Sequence, residues 1–130
     1  MKRARVVVAL GAGFGFLAVA AGAFGAHSLK SVVSQDMLEL FKTAVHYQMV
    51  HALALLANGL LLRDCSNKLF HYAVWSFVAG ILLFCGSLYL LVLTDAPWAG
   101  MVTPVGGLLF LGGWLCVVLG CLHRSKEVPF

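Results

Sequence analysis

Every lysine, arginine, aspartate and glutamate of this 130-residue chain falls outside four long apolar runs. The runs cover residues 6–26, 43–62, 69–93 and 101–122. A bilayer hydrocarbon core of about 30 Å is crossed by about 20 apolar helical residues. Inside lipid the backbone must satisfy its own N–H and C=O groups, which a helix does within one segment. The pattern therefore predicts an all-α fold: a single four-helix transmembrane bundle with short loops.

Composition agrees. Hydrophobic residues make up 62% of the chain and charged residues 11%. Soluble domains carry about 25% charged residues. The formal charge is only +4, and no basic cluster carries interleaved aromatics. We expect no nucleic-acid partner. Cys65, Cys85, Cys116 and Cys121 form no CxxC pair. They read as small apolar residues, not as a disulfide framework or zinc site.

Local signals mark the ends of the spans. Residues 63–68 form a short polar turn, and Asp95-Ala96-Pro97 stops the third run. Thr103-Pro104 looks like a helix start, with Thr103 accepting from the first free amides. The first run follows Lys2-Arg3-Ala4-Arg5, as a signal peptide would. Its apolar stretch exceeds the roughly 7–15 residues of a signal core, so we read a retained helix. Between the first two runs, Gln35, Asp36, Glu39 and Lys42 share one helical face. Ser34 can cap a helix there. We expect the second helix to begin at Gln35 with an amphipathic extension, giving helices at about 6–26, 35–62, 69–93 and 101–122. A separate interfacial helix is the alternative.

Orientation follows from the basic residues. With four spans, Lys2, Arg3, Arg5, Arg63, Lys68, Arg124 and Lys126 share one side. Lys30 and Lys42 lie on the other. The bias predicts a multi-pass membrane protein with both termini in the cytoplasm.

Small residues let transmembrane helices approach closely. The first helix has a seam at Gly11, Gly15, Ala18, Gly22 and Gly25, spaced four, three, four and three. The fourth has Gly106, Gly113 and Gly120 at intervals of seven, with Gly107 and Gly112 widening the groove. The third offers Ala73, Ser76, Gly80 and Ser87. Such seams serve packing within the bundle or between copies. A homo-oligomer or a larger membrane complex is compatible with either.

Polar side chains are costly in lipid and turn inward. Gln48, His51 and Asn58 lie on one stripe of the second helix, beside Tyr47. Three readings follow. The stripe bonds neighbouring helices, or lines a path for protons, ions or a small solute, or binds metal or haem through His27, His46 and His51. His46 and His51 are five residues apart, which does not suit the i, i+4 spacing of helical zinc sites. His27 suits a helix C-terminus. Ser87 and Tyr89 can meet the polar stripe, although Tyr47, Tyr89 and Trp98 also suit interfacial anchors. No span holds an acidic residue, and no nucleophile–base pair is visible. We expect no enzyme activity, no catalytic residue, no metal site and no cofactor. The bilayer itself is the expected partner.

The stretch Gly22-Ala23-Phe24-Gly25-Ala26-His27 resembles a family of small uncharacterised membrane proteins that includes YgdD-like and YwdK-like proteins and mitochondrial relatives. Further matches are Tyr47-Gln48 with His51-Ala52, Leu83-Phe84 with Gly86-Ser87-Leu88-Tyr89, Thr103-Pro104-Val105-Gly106-Gly107, and Gly113-Trp114. Together they touch all four helices. The family usually has Ser where this chain has Cys85. The resemblance implies a four-span inner-membrane protein and no particular activity. It directs attention to His27, Tyr47, Gln48, His51, Ser87 and Tyr89. The functional expectation is a non-enzymatic structural or accessory component, with a small channel or carrier as the alternative.

Overall fold

A computed structural model describes residues 2–124, without the Arg124 side chain. Lys126, one of the residues used for orientation, lies outside that range. Four helices are long and apolar enough to cross a membrane. They are α1 (Lys2–His27), α2 (Gln35–Asp64), α3 (Lys68–Thr94) and α4 (Thr103–Arg124). No strand occurs among the described residues.

Each connection has a local cause. A 3₁₀ turn, Leu29–Ser31, joins α1 to α2, and Leu29 is buried with Phe41 and Val92 at that end of the bundle. Ser34 caps α2 by accepting from the Met37 amide, as its side chain predicts. The exposed face of the extension is tied by Gln35 to Glu39 at 3.2 Å and by the Glu39–Lys42 ion pair at 3.5 Å. Asn67 caps α3 by accepting from the Leu69 amide. Asp95 ends α3 in the left-handed conformation, with φ 51°. A second 3₁₀ turn, Pro97–Met101, leads to α4. Thr103 opens α4, but its hydroxyl is not used as a cap. It turns instead to Ser87 of α3.

The bundle is two antiparallel hairpins. α1 packs on α2, α4 packs on α3, and α2 against α3 joins the pairs. The α1 seam faces α2. A Cβ on Gly11 would lie 2.9 Å from the Ala52 carbonyl oxygen, and one on Gly25 would lie 2.8 Å from the Phe41 ring. Gly22 faces Val45, and Gly15 faces Ala52. Gly59 answers from α2, with Val8 against it.

The α3–α4 pair is more regular. Phe70 sits on Gly120, Phe77 on Gly113 and Phe84 on Gly106, each step being seven residues on both helices. Phe110 reciprocates by filling the space above Gly80. The rings of Phe70, Phe77 and Phe110 thus occupy holes left by missing side chains, while at Gly106 it is the backbone and Cβ of Phe84 that come close, which is how helices pack where lipid supplies little hydrophobic drive. Gly112, by contrast, has nothing within 4 Å of where its Cβ would be. It faces away from this seam. At Ile81–Cys85 α3 widens into a π-helical segment. The backbone of Phe84 there lies so close to Gly106 that any side chain at 106 would overlap it.

Candidate functional site

The polar stripe of α2 is buried. Gln48, His51 and Asn58 are 4%, 3% and 1% exposed, so each must find partners inside the bundle. Gln48 donates through Nε2 to the Phe14 carbonyl of α1 at 2.9 Å. Its Oε1 accepts from the Tyr89 hydroxyl of α3 at 2.7 Å. One amide therefore holds three helices in register.

His51 is the centre of the second contact. Trp114 of α4 donates its indole N–H to Nε2 at 3.1 Å. Indole nitrogen can only donate, so Nε2 accepts and the ring proton sits on Nδ1. Nδ1 lies 2.7 Å from the Tyr47 carbonyl, one turn back, and donates to it. Both nitrogens of a neutral imidazole are thereby used. The ring stacks on Phe110 at 3.5 Å between centroids and 9° between planes. Phe77 and Trp114 flank it at 5.6 and 5.9 Å, and Tyr47 lies parallel at 6.1 Å.

Asn58 lies nearer the other end of α2. It donates to the Phe70 carbonyl of α3 at 2.7 Å. Its Oδ1 is buried without a hydrogen-bond partner among the described residues. Ser87 belongs to a different contact. It donates to the Phe84 carbonyl at 2.9 Å and shares a hydrogen bond with Thr103, so it joins α3 to α4 and does not meet the α2 stripe.

The sequence reading thus groups residues that the structure separates. Tyr89 joins the stripe and is not an interfacial anchor. Tyr47 keeps its carbonyl and ring in the His51 cluster while 40% exposed. His27 is exposed at the end of α1, whereas His51 is buried with both nitrogens engaged. Among the described residues no three His, Cys, Asp or Glu side chains are placed to hold a metal ion.

The residues missed from sequence are Trp114, Phe110, Phe77 and Thr103. Two signals were available. Trp114 lies in the Gly113-Trp114 motif, and Phe70, Phe77 and Phe84 repeat at the same interval of seven as the α4 glycines.

Known proteins align along most of the chain. Residues 21–107 match the family model described as protein of unknown function DUF423. That stretch contains the α2 stripe, Ser87 and Tyr89 but ends before Phe110 and Trp114. The chain is 42% identical to the UPF0382 membrane protein SAB0533 of Staphylococcus aureus (strain bovine RF122 / ET3-1) over 115 residues, 88% of this chain and 93% of that protein. It is 39% identical to the UPF0382 membrane protein YwdK of Bacillus subtilis over 119 residues, 91% and 97% of the two chains. A UPF0382 membrane protein of Haemophilus influenzae is 43% identical over 88% of this chain and 90% of its own length. No solved structure matches.

Proposed function

Because this chain belongs to the DUF423 family of membrane proteins, we propose a function exercised within the bilayer: a non-enzymatic structural or accessory component of the cell inner membrane. The observation that carries this reading is the use of the polar stripe. Gln48 and His51 spend their hydrogen-bonding groups on helices α1, α3 and α4 and on their own backbone. Polar groups engaged in this way fix a bundle's geometry. They make a rigid body whose outer faces meet lipid or other chains, as a homo-oligomer or within a larger complex. Both termini face the cytoplasm in this reading, on the side where Lys2, Arg3, Arg5, Arg63 and Lys68 gather.

Purification in mild detergent followed by native mass spectrometry tests the reading. A particle larger than one chain, or one carrying a stable partner, is the expected result. A strictly monomeric protein that co-purifies with nothing would overturn it.

A second reading, a small channel or carrier, has one atom in its favour. Asn58 Oδ1 is a buried acceptor without a partner, and such a group can take a hydrogen bond from a passing solute. Flux in proteoliposomes that disappears in His51→Ala and Asn58→Leu would establish the channel and displace the first reading. Absence of flux in the intact protein would remove it.

A further inference from the structure

The outer face of the α1–α2 hairpin carries a groove that neither reading uses. Its mouth lies where α1 begins and α2 ends. Arg5 and Arg63 stand on opposite sides of it, over walls of Val8, Ala9, Ala12 and Leu60 enclosing about 450 Å³. The α1 residues are spaced three, one and three apart and the α2 residues three apart, so each set shares one helical face. The two faces are brought together by Val8 against Gly59 and by Gly11 against the backbone of Ala52 and Leu56. The position of the two arginines is therefore a product of close helix packing.

A second, wholly apolar trench of about 470 Å³ shares Ala12 with the mouth and continues the same face past Gly15 to Ala20 of α1 and to Met49 of α2. The trench exists because Ala12, Gly15 and Ala52 are small. From Arg5 to Ala20 is fifteen residues of helix, about 22 Å. That exceeds the roughly 15 Å of hydrocarbon in one leaflet. The groove is thus charged at the membrane edge and apolar for the depth of an acyl chain.

We infer that this groove binds one anionic glycerophospholipid, with its phosphate between Arg5 and Arg63 and one acyl chain in the trench. Both guanidiniums are available for it. Among the described residues neither makes an ion pair or a side-chain hydrogen bond, and both residues are exposed. Among the described residues, the carboxylate adjacent in sequence, Asp64, closes α2 beside Arg63 but does not line the groove. Guanidinium recognises phosphate through paired N–H donors, and basic pockets between transmembrane helices are where anionic headgroups bind. A free phosphate would satisfy the arginines alone and leave the trench without purpose. The trench is what selects a lipid. The inference stands whether the bundle is a component or a channel.

The test uses the full chain, delipidated and then exchanged into mixed micelles of phosphatidylglycerol and phosphatidylcholine with identical acyl chains. Native mass spectrometry counts the lipids retained. The expected result is one phosphatidylglycerol per chain, preferred over phosphatidylcholine by about tenfold, in keeping with roughly a several-fold gain per basic residue. Arg5→Gln with Arg63→Gln should bring the preference to near parity. Arg3→Gln with Lys68→Gln removes equal charge outside the groove and should preserve it. Ala12→Phe blocks the trench without touching charge and should also release the lipid. A preference that survives the Arg5 and Arg63 changes would overturn the inference. So would equal loss in the Arg3 and Lys68 control, or displacement of the lipid by millimolar inorganic phosphate.

Discussion

The indole nitrogen of Trp114 stands 3.1 Å from Nε2 of His51 and donates its hydrogen to it. These residues lie on α4 and α2, helices that otherwise have little direct backbone contact. The bond therefore ties the second hairpin to the first. It also sets the histidine's tautomer, since Nε2 must accept and Nδ1 must then donate to Tyr47.

Trp114→Phe keeps an aromatic ring beside Phe77 but removes the donor. Nε2 of His51 is then left buried and unpaired. We predict a loss of about 1 kcal/mol, the scale of hydrogen bonds between membrane helices. A lowered unfolding midpoint in detergent is the readout. An unchanged midpoint would mean that the bond contributes nothing to helix association.

Gly106→Ala should be among the most damaging single methyl additions to this chain. Its Cβ would overlap the Phe84 backbone, and a backbone cannot rotate aside as a side chain does. Overpacking of this kind costs about 1–3 kcal/mol. Gly112→Ala is the matched control, with nothing within 4 Å of its Cβ. It should cost nothing measurable. Equal effects in the two variants would contradict the α3–α4 register.

Gln48→Ala and Tyr89→Phe should not be additive. They remove the two sides of one 2.7 Å hydrogen bond. A double-mutant cycle on thermal stability should give a coupling of about 0.5–1.5 kcal/mol. Zero coupling would show that the two side chains act independently.

Asn58→Leu removes a donor bonded to the Phe70 carbonyl together with an acceptor that has no partner. The change also relieves the buried, unpartnered Oδ1, and the Phe70 carbonyl left behind belongs to helix α3, so the loss should be no more than about 1 kcal/mol. Asn58→Asp keeps the shape but presents an acceptor to that carbonyl, so it should cost roughly 3 kcal/mol or more. Stability measured for both variants separates the two cases. A larger loss from Leu than from Asp would require that Oδ1 serves a bound solute.

Cys65 offers a test of orientation. It lies in the short turn between α2 and α3, half-buried at a helix cap. In a variant with the other three cysteines replaced by alanine, a membrane-impermeant maleimide should label it in intact cells only after permeabilisation. Labelling of unpermeabilised cells would invert the topology drawn from the basic residues.

Much of the fold was legible in the chain itself. The four spans follow from the exclusion of charge. The start of α2 at Gln35 follows from Ser34, whose cap bond is local. The α1 and α4 glycine seams mark the faces where helices come close. The candidate site was legible only in part. Gln48, His51 and Asn58 stood out by their cost in lipid, but their partners did not. Three of those partners are backbone carbonyls, of Phe14, Tyr47 and Phe70, which no side-chain pattern announces. Ser87 is polar and on α3, and by sequence alone it can meet the α2 stripe. Its true partner is Thr103, reached because the π-helical segment and Gly106 draw α3 against α4.

The sequence by itself determined that this protein is four helices in a membrane, and that the Gln48, His51 and Asn58 stripe of α2 turns away from lipid. Those outcomes rest on the transfer cost of charge and on helical periodicity, both local. Only the tertiary structure decided which small residue receives which ring, that Phe70 and Phe77 fill the α4 seam while the Phe84 backbone closes on Gly106, and that Trp114 closes on His51. The reason is physical. A glycine or an alanine permits contact from any helix, so the choice among neighbours is made by the shapes of side chains that meet only after the helices have assembled.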